Sequence, residues 1–389
     1  MRGARGLFAV ICAVVFGVVS LGGAPRPAAA QGKGPVKVGV LLTLTTTMAF
    51  YGQRQLEAIK MAVEEAEAAG GINGRKIELV VEDSARSNTT AVNGLNKILR
   101  SDPVVVLGSI LGTQNMAVLP LINRAKVPIL VVSGTRKITQ QGSPWMFRFT
   151  NHDGIGKAAW TKFVVENLKK KSVCILLVAN EWGYSGRDET IQVLQRDYKM
   201  KPLMTETYQA TDKDMSAQLL KMRDANCDII MTQGHPADEA LIAKQMRQLN
   251  IHTDRIGSGS FSISATLKIT EPEDVKGRYA EVPAEPPDSA TNPKIRSFAE
   301  GFKKKYGHYP DVYSMLEYDL AKTLIEVMRK YGTSAEQIRR GLRKIKYEGI
   351  ASVYEADKEG NMHHGATIVR YGDNKQAIPQ ATITVPFER

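Results

Sequence analysis

Cysteine is scarce in this chain: three in 389 residues, at Cys12, Cys174 and Cys227. A chain of this length can bury a sizeable core, so the fold is not expected to depend on disulfides. Low-complexity tracts are absent as well, and 43% hydrophobic with 24% charged residues is a globular composition. Beyond the N-terminus no apolar run is long enough to cross a bilayer. The glycine fingerprint of dinucleotide sites is missing where it should follow the first strand: that turn reads "TLTTTMAFYG". No P-loop is present. "GYSGR" (Gly183–Arg187) and "GSGSF" (Gly257–Phe261) approach a nucleophile elbow without completing it. The six histidines form no metal motif; His363 and His364 are adjacent and would point to opposite faces of a strand. His152 and His252 are expected in exposed connections. No metal, cofactor or catalytic group is expected.

What is present begins with a leader. Arg2 and Arg5 precede an apolar stretch, Leu7–Leu21, and Ala28-Ala29-Ala30 precede Gln31. This is the pattern of a cleaved secretory signal over residues 1–30, with cleavage near Ala30. Cys12 lies inside the apolar stretch rather than at its end, which argues against a lipid anchor. The expectation is an exported, soluble protein. Net charge is +12, and removing Arg2, Arg5 and Arg26 leaves +9. The basic residues are dispersed, so no nucleic-acid partner is expected. Cys174 and Cys227 sit at the starts of apolar strands, where free buried cysteine is common; export also permits a disulfide. The free, structural state is the expectation.

After the leader, strands and helices alternate. "VKVGVLL", "KIELVVED", "PVVVLGS" and "VPILVVS" are short apolar runs separated by amphipathic stretches such as Tyr51–Ala69. The pattern restarts after an extended connection, Pro144–Asp153, with "KSVCILLVAN", "PLMTETY" and "CDIIMTQG" as further strands. Two α/β units in tandem, each with a parallel sheet, are the expectation. The tail is read as strands around a turn at Lys358–Asn361.

Small and hydroxyl residues end the first-half strands: Thr45–Thr47, Ser109 to Thr113, and Ser133 to Thr135. Two of these ends precede helices whose N-terminal amides suit a carboxylate. Second-half strand ends offer Trp182 with Tyr184, His235, and Ser258 with Phe261. Two units presenting strand ends to one another would enclose a cleft with donors on one wall and aromatics on the other.

At "VKVGVLLTLTTTMAFYG", "AVEEAEAAGGINGRKIELVVEDSARS", "PILVVSG", "MFRFTNHD" and "YGHYPDVYSMLEYDLAKTL", the sequence resembles the type I periplasmic binding proteins. The branch is the leucine/isoleucine/valine-binding receptors of ABC transporters. The resemblance implies an α/β fold of two doubly wound parallel-sheet lobes joined by a three-segment hinge. Lobe one would hold 36–148 with 280–350, and lobe two 149–279 with 351–389. It also implies a monomer in the periplasm, a small carboxylate ligand held by hinge closure, and a membrane-embedded ABC permease as partner. Carried over singly, Tyr51 before Gly52 would line the ligand side chain. Gly112 stands where the family has serine, with Thr113 as substitute hydroxyl, and Ser133 and Thr135 belong to a shortened loop. Trp182 matches an aromatic position, His235 falls near another, and Phe261 completes the aromatic wall.

One departure matters. Amino-acid-binding members carry a glutamate for the ligand ammonium after the "IG" strand, and Gly259 stands there. A buried ammonium without a carboxylate partner is costly. The expected ligand is therefore an aromatic or apolar organic acid rather than an α-amino acid. Alternatives are branched-chain amino acid or amide binding, a sensory protein of the same fold, and a secreted hydrolase using Ser185.

Overall fold

The computed structural model describes residues 34–384; the leader read at residues 1–30 lies outside them. The first half runs β1 (Val36–Leu42), α1 (Ala49–Ala68), β2 (Ile77–Asp83), α2 (Asn88–Arg100), β3 (Val105–Gly108), α3 (Gly112–Ala125), β4 (Ile129–Val131) and β5 (Met146–Arg148). These strands form one sheet in the order β2-β1-β3-β4-β5, every pairing parallel. The connection expected at Pro144–Asp153 thus supplies an edge strand, because Met146 and Phe147 are apolar and fully buried. Covered on both faces, β1 and β3 are near-continuous apolar runs rather than alternating ones. Helix α2 comes so close to β1 that a Cβ at Gly39 would lie 2.3 Å from Ile98 Cγ2. Ser87 starts that helix by accepting the Thr90 N–H at 3.2 Å.

The second half runs α4 (Asp153–Lys162), β6 (Val173–Val178), α5 (Glu181–Tyr198), β7 (Met204–Tyr208), α6 (Ser216–Asp224), β8 (Ile229–Gln233), α7 (Pro236–Gln248) and β9 (Asp254–Gly257). Two short helices, α8 (Ser264–Lys268) and α9 (Pro272–Val275), lead to β10 (Tyr279–Val282). The chain then forms α10 (Pro293–Tyr306), α11 (Val312–Tyr331) and α12 (Ala335–Leu342). These helices pack with the first sheet: Leu316, Leu320 and Leu324 of α11 share a core with Val38, Val40 and Ile59. A small hairpin, β11 (Lys346–Glu348) and β12 (Val353–Glu355), precedes β13 (Gly365–Tyr371) and β14 (Ala377–Thr384). The second sheet has the order β14-β13-β10-β9-β8-β6-β7, parallel except for β13 and β14. The strands flanking Lys358–Asn361 therefore pair elsewhere rather than with each other.

Three crossings join the lobes, and they are tied together. Arg148 bridges to Asn361, with the Met362 N–H donating to the Arg148 carbonyl at 2.7 Å. Asn151 Nδ2 donates to Glu281 Oε1 at 2.9 Å.

Cys174 and Cys227 are bonded as a disulfide, Cα–Cα 5.9 Å, which corrects the expectation of free thiols. The reason lies in sheet order: β6 and β8 are neighbours, so cysteines 53 residues apart in sequence are set side by side.

Candidate ligand-binding site

A cavity of about 80 Å³ lies where the strand ends of the two sheets face each other. A space of about 10–15 Å³ holds one water on this measure, so a compact small molecule fits.

On the lobe-one side, the turn after β1 brings Met48 and Tyr51 to the wall. Thr45 shapes that turn by donating to Asp83 Oδ2 at 2.5 Å, and Thr46 takes a positive φ of 70°. Tyr51 is 3% exposed, packs edge-on to Tyr313 at 5.5 Å, and shares a hydrogen bond with Ser260 Oγ across the cleft at 3.1 Å. Burial holds its phenol protonated. Ile110, Leu111 and Gly112 bring the start of α3 to the cavity, and that helix end has no side-chain cap. Its free amides and dipole suit an anion. Gly112 is required by packing, because a Cβ there would lie 2.1 Å from Thr135 Oγ1. Thr113 is exposed, whereas Ser133 and Thr135 are each 1% exposed behind the wall; of that loop, Gly134 is the residue on the cavity.

On the lobe-two side, Asn180 caps α5 by accepting the Gly183 N–H at 2.9 Å, which places Trp182 in its first turn. Trp182 stacks on His235 with centroids 5.2 Å apart and planes 24° from parallel. Asn180 Nδ2 meets His235 Nε2 at 3.1 Å, and burial lowers the imidazole pKa to about 4, so it is neutral at pH 7. Ser258, Gly259 and Ser260 complete this wall. Phe261 does not reach it: the ring is fully buried against Tyr371 and under the Arg255 guanidinium. Of the eight residues singled out in the sequence, Tyr51, Gly112, Trp182 and His235 line the cavity; Thr113, Ser133, Thr135 and Phe261 do not.

The first crossing, with α4, β10 and α11, supplies what sequence reasoning missed. Asn151, His152, Asp153, Gly156, Lys157, Glu281 and Tyr313 all face the cavity. His152, expected in an exposed connection, is mostly buried, and burial together with Arg148 keeps it neutral. Lys157 Nζ pairs with Glu281 Oε2 at 3.1 Å, with side chains 2% and 7% exposed, and lies 3.7 Å from the Trp160 ring centroid. Gly156 lets Glu281 approach, since a Cβ there would be 2.7 Å from its carboxylate. Asp153 Oδ1 accepts from Gln233 Nε2 at 3.3 Å, and burial raises its pKa to about 6 despite Lys157 nearby. The premise that this site holds no carboxylate is thus corrected. Gly259 bears none because a Cβ there would lie 2.2 Å from Tyr313 Oη, and Asp153 and Glu281 enter from other elements. The "NHD" run was the one available signal, and nothing local showed that it would turn inward.

Two α/β lobes closing on a cavity at their strand ends, joined by three crossings, define a type I binding protein. The chain belongs to the periplasmic binding protein family, whose model matches residues 35–376. It is 23% identical over 329 residues to the leucine-, isoleucine-, valine-, threonine- and alanine-binding protein of Pseudomonas aeruginosa, covering 84% of this chain and 87% of that one. The crystal structure of a leucine-binding protein from Thermotoga maritima superposes with a TM-score of 0.81 at 23% identity, covering 90% of this chain and 99% of the other. A solute-binding protein of an ABC transporter from R. palustris, solved with benzoate, superposes with a TM-score of 0.81 at 16% identity, covering 92% and 98%. Among the described residues no helix is long and apolar enough to cross a membrane.

Proposed function

We propose that the protein is an exported receptor that captures a small carboxylate in this cleft by hinge closure and delivers it to an ABC permease. The observation that carries this reading is the pairing of an uncapped α3 N-terminus with the stacked Trp182–His235 face across one cavity. The helix end takes the carboxylate, and Met48, Tyr51, Ile110 and Leu111 with the stacked rings take a flat or apolar body. An aromatic acid suits that pairing, and the R. palustris protein solved with benzoate has the same fold. Lobe boundaries that follow strand and core membership are 36–148 with 283–362, and 149–282 with 363–384. This reading involves no catalytic step.

A second reading, an α-amino acid, is favoured by Asp153 and Glu281 on the wall. The two readings differ in the sign of their pH dependence. An anion near Asp153 binds best while that carboxyl is neutral, below its pKa of about 6, and weakens as pH rises past it. A ligand ammonium has the opposite preference and gains affinity as Asp153 ionises. Calorimetric titration with benzoate and with leucine between pH 5 and pH 8 separates them. Benzoate binding that weakens with pH, with no leucine binding, supports the aromatic acid. Leucine binding that strengthens with pH supports the amino acid.

A further inference from the structure

The turn after β4 is held from both lobes. Arg148, fully buried, donates from Nη2 to the carbonyls of Thr135 and Arg136 at 2.8 and 3.0 Å and to Thr139 Oγ1 at 3.1 Å. These bonds fix the lobe-one turn that carries Arg136 and Lys137. Facing it, α5 of lobe two presents Glu181, Ser185 and Glu189, a spacing of four residues that sets all three on one helix face. Lys137 Nζ pairs with Glu181 Oε1 at 2.8 Å, and the Arg136 backbone N–H donates to Ser185 Oγ. Arg136 Nη1 lies 2.7 Å from both carboxylate oxygens of Glu189. None of Arg136, Lys137, Glu181 or Glu189 lines the cavity, yet Trp182 sits in the same first turn of α5 as Glu181.

We propose that Arg136 and Lys137, with Glu189 and Glu181, form an ionic latch across the cleft that biases the receptor toward closure. These four are positioning residues: they hold α5, and through it Trp182, against lobe one without touching ligand. The inference rests on the reading that the lobes open and close. Its consequence is that ligand affinity scales with the closed fraction and that this fraction falls with ionic strength. The Arg136–Glu189 pair has side chains 32% and 15% exposed, so it keeps more of its attraction in salt than the more open Lys137–Glu181 pair at 58% and 33%.

The test needs no ligand. Single-molecule energy transfer is read on the full mature chain, with dyes on Arg124→Cys in lobe one and Gln195→Cys in lobe two, both exposed positions. In wild-type latch residues, the open-to-closed ratio is expected to rise as NaCl goes from about 50 mM to about 1 M. Arg136→Ala should raise that ratio about three- to tenfold at low salt and leave most of the salt response in place. Lys137→Ala should raise the ratio less and remove most of the salt response. The exchange Arg136→Glu with Glu189→Arg should restore closure. An unchanged ratio in Arg136→Ala, with two lobe separations still seen, overturns the latch and leaves hinge closure standing. A single separation under every condition and in every variant overturns both.

Discussion

Replacing Cys174 and Cys227 together by serine removes the cross-link between β6 and β8. The bond closes a loop of 53 residues. The chain-entropy relation gives about 14 cal/mol/K for that length, or about 4 kcal/mol at 25 °C. Melting entropy is about 2.1 cal/mol/K per residue. If residues 34–384 melt as one unit, the melting temperature should fall by about 5 °C; if the second lobe melts alone, by about 12 °C. Differential scanning calorimetry of the double variant, and of native protein under reductant, measures this directly. Both cysteines lie in the lobe-two core with Leu176 and Ile230, away from the cavity lining, so affinity for any bound solute should change less than twofold. Two free thiols titrated in native protein that has seen no reductant, with an unchanged melting temperature in the variant, would refute the reasoning.

Glu317 and Gln55 make a second test, inside lobe one. Gln55 Nε2 donates to Glu317 Oε2 at 2.9 Å, while Gln55 Oε1 and Glu317 Oε1 are buried without partners. A protonated Glu317 supplies the missing donor, and burial raises its pKa to about 8. The folded state then binds a proton that the unfolded chain releases near its ordinary value, so this group's contribution to stability falls from about pH 4.5 to about pH 8 and is level above. Glu317→Gln should match the wild type at pH 5 and exceed it by a few kcal/mol, to order of magnitude, at pH 8 in urea unfolding; equal stability at both would dismiss the protonated acid. Gly112→Ser should destabilise by about 1–3 kcal/mol through its contact with Thr135. Adding Thr135→Gly should recover most of the loss, and a neutral Gly112→Ser in thermal unfolding would show that the wall yields.

The alternation of strands and helices was legible because each buried parallel strand is a continuous apolar run and each covering helix has one apolar face. The first loop was readable for the same reason: Tyr51 follows a strand end whose position the pattern sets. Strand β5 was not readable, because two apolar residues and an arginine in an irregular stretch carry no period.

The succession of strands and helices, the helix starts and the residues at strand C-termini are local properties, and the sequence by itself determined them through hydrophobic spacing, capping and turn chemistry. That level placed Trp182, His235 and the start of α3 near one cleft. Only the tertiary structure decided which side chains face inward. Phe261 turns to the core because Tyr371, far away in sequence, and Arg255 of the preceding strand surround it. Asp153, Lys157 and Glu281 meet in the cavity because the crossings between the lobes run side by side. Cys174 and Cys227 are paired because β6 and β8 are neighbours in a sheet whose order no local pattern encodes.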